Sequence, residues 1–131
     1  MPGICLIAAG ASAAYLATAE FTLRWRHSVE HVRWEERYRL DGARLTLVEA
    51  SVEAMGAGME PGPDARLVDG RWIWTPALPP QSELTLAMSD FAGDYDICIE
   101  GSCRTLGALA PMPSGVVVVR PCDGGAPPRE P

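Results

Sequence analysis

Over residues 21–40, FTLRWRHSVEHVRWEERYRL, the side chains alternate with a period of two, and that period restricts the fold more than any other feature. Successive side chains of a strand point to opposite faces of a sheet. Phe21, Leu23, Trp25 and His27 fall on one face, and Thr22, Arg24, Arg26 and Ser28 on the other. The next run repeats the rule, with Val32, Trp34, Glu36, Tyr38 and Leu40 against Arg33, Glu35, Arg37 and Arg39. The two runs read as an antiparallel hairpin. Its charged side reads as a solvated strand face carrying cross-strand ion pairs. Its apolar side holds one histidine and one glutamate, and a buried ionisable group needs a partner.

The same period continues along the chain. Candidate strands are 4–9, 13–19, 20–28, 32–40, 43–52, 65–68, 71–75, 83–89, 95–100, 103–106 and 116–120. Turn signals separate them at Asp41-Gly42, Asp69-Gly70, Pro79-Pro80, Gly93-Asp94, Glu100-Gly101 and Ser114-Gly115. No segment has the pattern of a long amphipathic helix, and only residues 105–112 suggest a short helical turn. The expectation is an all-β fold, a compact antiparallel β-sandwich or partly open barrel of about 9–11 short strands. With 131 residues the chain reads as one domain, residues 1–120, followed by a Pro/Gly-rich tail at 121–131 that is mobile past Asp123. Trp72 and Trp74 share a strand face opposite Ile73, a pattern that points to sheet packing more than to a sugar-stacking platform. Residues 54–64, AMGAGMEPGPD, form the longest interruption. They read either as a bulged crossover between sheets or as a backbone wall that a ligand approaches closely, and they lack the Gly-Lys-Ser/Thr ending of a phosphate-binding loop.

The first twenty residues read three ways: a cleaved signal peptide, two short strands, or an uncleaved membrane-proximal anchor. Ala17-Thr18-Ala19 resembles a signal-peptidase site, but no Lys or Arg precedes Arg24, so the positive region of a signal peptide is missing. Gly10 and Ser12 interrupt the apolar run, which is no clear membrane span. Two short strands joined at Gly10-Ala11-Ser12 are the favoured reading. The formal net charge of -6, with eleven arginines and no lysine, argues against nucleic acid as a partner.

Four cysteines, Cys5, Cys98, Cys103 and Cys122, form an even set. A two-residue turn at Glu100-Gly101 sets Ile99 opposite Ser102 and Cys98 opposite Cys103 in a non-hydrogen-bonded pair, whose close spacing suits a disulfide. Cys5 and Cys122 are then the natural second pair, tying the chain ends together. Free thiols remain an alternative, and zinc is a weaker one because no ligand fingerprint demands it. The Cys98/Cys103 pair favours a periplasmic or membrane-associated location and leaves a cytoplasmic one open.

In the hairpin, His27 lies either directly opposite Glu36, or opposite Trp34 with Glu36 on the diagonal. Glu49 shares a face with Leu45 and Leu47, so His27, Glu36 and Glu49 are expected to meet at one inward location. Such a set can be a satisfied core network that fixes register. It can also be a ligand site that coordinates a divalent metal, or holds a carboxylate through His27 and Ser28. In a regular strand Ser28 points away from His27, which disfavours a nucleophile pair. His31 falls in the turn, exposed to solvent.

The aromatic-x-His-Ser-Val core at Trp25, His27, Ser28 and Val29, the acidic positions Glu35, Glu36 and Glu49, and the loop glycines Gly56 and Gly58 around Ala57 resemble a family of small bacterial domains of unknown function. Its genes typically lie beside those of TAXI-type TRAP transporters. The resemblance covers roughly residues 4–110, with Arg26 standing where the family more often has threonine. It implies strands before the His-Ser motif and a neighbourhood rather than a mechanism. The expected function is a non-enzymatic accessory or ligand-binding domain of solute uptake. Its expected partners are transporter subunits or a small organic acid, it needs no cofactor unless a divalent metal, and its candidate site is His27, Ser28, Glu36, Glu49, Gly56 and Gly58. The alternatives are a hydrolase-like enzyme with His27 as general base, and a structural partner protein whose His/Glu cluster only fixes the core.

Overall fold

The structure is a computed structural model that describes residues 1–26, 32–53, 64–88, 95–110 and 115–124. Within them, eleven strands build two antiparallel sheets that do not close into a barrel. The smaller sheet has the order β2-β1-β11-β8, formed by Ala11–Ala17, Pro2–Ala8, Gly115–Asp123 and Leu84–Met88. The larger has the order β10-β9-β3-β4-β5-β7-β6. Its strands are Ser102–Thr105, Asp96–Ile99, Glu20–Arg26, Arg33–Asp41, Arg44–Glu53, Arg71–Trp74 and Arg66–Val68. One helical turn, α1 (Leu106–Leu109), follows β10, capped by the Thr105 hydroxyl, which accepts from the Ala108 N–H at 3.2 Å.

The turn dipeptides do what their chemistry allows. Asp69-Gly70 and Glu100-Gly101 each place two consecutive residues at positive φ (50° and 78°, 51° and 82°). That is the type I′ geometry that joins adjacent strands with the correct twist. The first hairpin turns one residue earlier than the sequence suggests, at Ala9-Gly10, and β2 starts at Ala11.

The alternating side chains close a core between the sheets. Ile4, Leu6, Val117 and Val119 of the small sheet face Phe21, Leu23, Leu45 and Ile97 of the large one, and Leu106 closes one side. β1 lies inside the small sheet, paired with both β2 and β11, so residues 2–17 supply two of its four strands. β11 runs further than expected, through Pro121 and Cys122 to Asp123, because β1 continues to pair with it as far as Pro2. Past Val119 the strand has lost β8, and such an edge tolerates a proline. Cys5 and Cys122 are bonded with Cα atoms 5.9 Å apart, and Cys98 and Cys103 with Cα atoms 4.0 Å apart. Cys98 and Cys103 are direct cross-strand partners, as the turn dictates.

β5 and β6, which flank residues 54–64, are strands of the same sheet, in place of the expected crossover between sheets. Residues 54–63 themselves lie outside the described residues, as do the expected tail from residue 125 onward and residues 27–31.

Candidate functional site: an acidic cleft beneath an edge strand

The hairpin of β3 and β4 forms, in a register that sets Phe21 opposite Tyr38, Leu23 opposite Glu36 and Trp25 opposite Trp34. Neither expected register is the observed one: Glu36 faces Leu23, and Trp34 faces Trp25, while His27 itself lies outside the described residues. The pairing satisfies packing, because Phe21 stacks on Tyr38 (centroids 5.5 Å apart) and Trp25 on Trp34 (6.4 Å).

Glu49 does not join Glu36. β5 pairs Arg37 with Glu49 but Tyr38 with Leu47, so Val48 is an extra residue, a β-bulge. The bulge resets the alternation. Leu45 and Leu47 before it, and Ala50 and Val52 after it, are all buried, and Glu49 is turned to the outer face, where its carboxylate lies 3.6 Å from Arg37. A sequence read with unbroken alternation assigns Glu49 the wrong side.

The outer face carries the rest of the charge in cross-strand pairs. Arg24 reaches Asp96 at 3.0 Å, and Arg71 reaches Glu35 at 3.0 Å and the Ser51 hydroxyl at 2.9 Å. Arg37 also lies 3.7 Å from Glu20. Arg24, Arg37 and Arg71 of this face are thus paired with carboxylates across β9, β3, β4, β5 and β7, which suits a solvated sheet surface.

Glu36 is different. It sits on the inner face of β4 and lines a cleft of about 260 Å³ between the large sheet and β8, the edge strand of the small one. Leu23, Trp25 and Tyr95 form one wall, and Leu84 and Leu86 the other. Gln81 lies at the cleft too, held by two backbone hydrogen bonds to Leu45 (2.7 and 2.8 Å). Tyr95 is fixed from behind, since its carbonyl accepts from the Leu106 N–H at 2.7 Å, and its ring tilts against Trp25 at 5.6 Å. The aromatic row continues over the sheet, with Trp74 edge-on to Trp34 at 6.2 Å. The Trp34 indole N–H is buried and makes no hydrogen bond among the described residues.

The Tyr38 hydroxyl donates to Glu36 Oε1 at 3.0 Å. Burial nevertheless outweighs that bond, and the Glu36 carboxyl is held above the usual carboxylate range. Burial and the neighbouring carboxylate raise the Tyr38 hydroxyl strongly, and the same two causes raise Tyr95. Among the described residues, no arginine forms a salt bridge with Glu36 and no group of three or more metal-ligating side chains converges. Two other clefts, of about 310 and 410 Å³, are reached by the titratable groups Arg104 and Asp123, which are both exposed.

Of the residues singled out from sequence, Glu36 lines the cleft, Glu49 lies on the opposite face of the sheet, and His27, Ser28, Gly56 and Gly58 lie outside the described residues. Tyr95 and Gln81 were missed. Neither falls in a chemical motif, and both reach Glu36 from distant parts of the chain. Trp25 was legible as a face residue but not as a cleft wall.

The fold and site define a small two-sheet β domain with one desolvated carboxylate in an aromatic-walled cleft. The family described as "Domain of unknown function (DUF1850)" matches residues 21–106, more than half of the chain, and the chain belongs to that family. No curated protein and no solved structure matches it.

Proposed function

We propose that this chain is a non-catalytic accessory domain that binds a small solute for a TAXI-type TRAP uptake system, outside the cytoplasm. One observation carries the binding role: a carboxylate kept partly out of water, without a cationic partner among the described residues, in a cleft walled by aromatic and aliphatic side chains. A core built for stability alone gains nothing from an unpaired buried carboxylate, whereas a ligand site needs a few convergent polar groups among apolar walls. The two disulfides support an oxidising compartment. The transporter connection rests on the family resemblance of the Trp25–Val29 motif and the acidic positions.

A thermal-shift screen of small solutes and divalent metals against the wild type, His27→Ala and Glu36→Gln tests the binding role. Co-purification with transporter subunits from the native host tests the partner. Solutes that raise the wild-type melting temperature but not that of Glu36→Gln are expected. A screen in which no solute shifts the wild type removes the binding role and leaves a structural partner protein.

A further inference from the structure

We infer that the cleft at Glu36 selects an organic cation, a small alkylammonium compound, and not an organic acid. This deepens the binding role proposed above and rests on it. Glu36 is the one acidic group described at the cleft, no arginine is among the residues described there, and Arg24, Arg71 and Arg37 pair on the outer face of the sheet with Asp96, Glu35, Glu20 and Glu49. The other polar groups at the cleft, Tyr38, Tyr95, Gln81 and Thr85, are neutral. An anionic ligand entering here meets a carboxylate of its own sign without a compensating cation among the described residues. A positively charged one meets the Glu36 carboxylate, of which the Tyr38 hydroxyl engages Oε1.

The walls favour the same class. Trp25 and Tyr95 tilt against each other at 53°, presenting aromatic rings in two planes beside the carboxylate. Ring faces attract ammonium groups, and most strongly those of tryptophan in a desolvated setting. Leu84 and Leu86 of β8 supply the opposite wall for the alkyl part. A volume of about 260 Å³ is below that of a cleft for a drug-sized molecule, which restricts the ligand to a small amine or quaternary ammonium ion. The charge of such a cation beside the carboxylate opposes the effect of the burial that raises the Glu36 carboxyl.

The test is calorimetric titration of the full chain at pH 8 with tetramethylammonium, n-butylammonium, n-butanol and butyrate, against the wild type, Glu36→Gln and Leu86→Trp. Both ammonium ions are expected to bind the wild type, and butanol and butyrate not to. Glu36→Gln keeps the side-chain shape and the acceptor for Tyr38, so a folded variant that loses about tenfold or more in affinity isolates the charge. Leu86→Trp fills the cleft and abolishes binding, which places the ligand there. Butyrate binding that Leu86→Trp removes overturns the cation inference and leaves the solute-binding role standing. Ammonium binding unchanged by Glu36→Gln overturns the inference too. An absence of binding by all four probes removes the inference, and the binding role then falls only if the wider solute screen is also silent.

Discussion

The Tyr38 hydroxyl and the Glu36 carboxylate, two residues apart on one face of β4, are joined by a 3.0 Å hydrogen bond inside the cleft. The bond lowers the carboxyl pKa and burial raises it, and burial wins. A glutamate whose folded pKa lies above its unfolded value binds its proton more tightly in the native state, so stability falls as pH rises through that interval. The cost is fully present above the folded pKa and absent below the unfolded one. Glu36→Gln is therefore expected to raise the melting temperature at pH 8 and to give no gain at pH 3.5, measured by thermal unfolding across that range. An acidic group retained at a stability cost is the pattern expected of a binding position.

Removing the hydroxyl from the pair should act in the other direction. Tyr38→Phe deletes the donor to Oε1 and leaves a half-buried carboxylate without that bond. The expected loss is about 1–3 kcal/mol at neutral pH. The Glu36 carboxyl should also move further up, seen by NMR titration of the side-chain carboxyl carbon. A Tyr38→Phe protein whose Glu36 titrates as in the wild type contradicts the assignment of that bond.

How much of this could be read from residues alone differs from strand to strand. The alternation and the turn dipeptides place nearly every strand, because a half-buried sheet writes its period directly into the chain. Cys98 opposite Cys103 was legible for the same reason, since a two-residue turn leaves no freedom of register. The β3–β4 register was not. It depends on the connection at residues 27–31 and on the stacking of Trp25 with Trp34, and alternation alone permits several even shifts. Glu49 was misplaced by a single residue, Val48, because a bulge leaves no mark in the hydrophobic pattern when apolar residues flank it on both sides. Tyr95 and Gln81 join Glu36 only through tertiary packing.

The bulge gives a prediction of its own. Deleting Val48 removes the extra residue and restores strict alternation, with Leu45, Leu47, Ala50 and Val52 all still on the buried face and Glu49 still opposite Arg37. The variant is expected to keep the native fold and the Arg37–Glu49 pair, read from retained dispersed amide NMR signals. A well-folded deletion variant with Glu49 unpaired from Arg37 contradicts the assigned register.

The two disulfides should contribute unequally. Cys5–Cys122 closes a separation of 117 residues, and Cys98–Cys103 closes one of 5. On the chain-entropy account the longer loop stabilises by about 3 kcal/mol more. Denaturant unfolding of Cys5→Ala/Cys122→Ala and Cys98→Ala/Cys103→Ala double variants measures the difference. The first is expected to lose more, with part of the loss arising because Cys5 is almost fully buried in the small sheet. Equal losses contradict the long-loop account.

On the proposed binding role, Glu36 is a desolvated carboxylate open to a small cation. The most direct measurement is an NMR pH titration of the glutamate side-chain carboxyl carbons, without and with saturating tetramethylammonium. The predicted result is one carboxyl, absent from the Glu36→Gln spectrum, that titrates above the others and shifts downward in pKa when the cation is added. A Glu36 carboxyl that titrates with the exposed glutamates and ignores the cation contradicts the account.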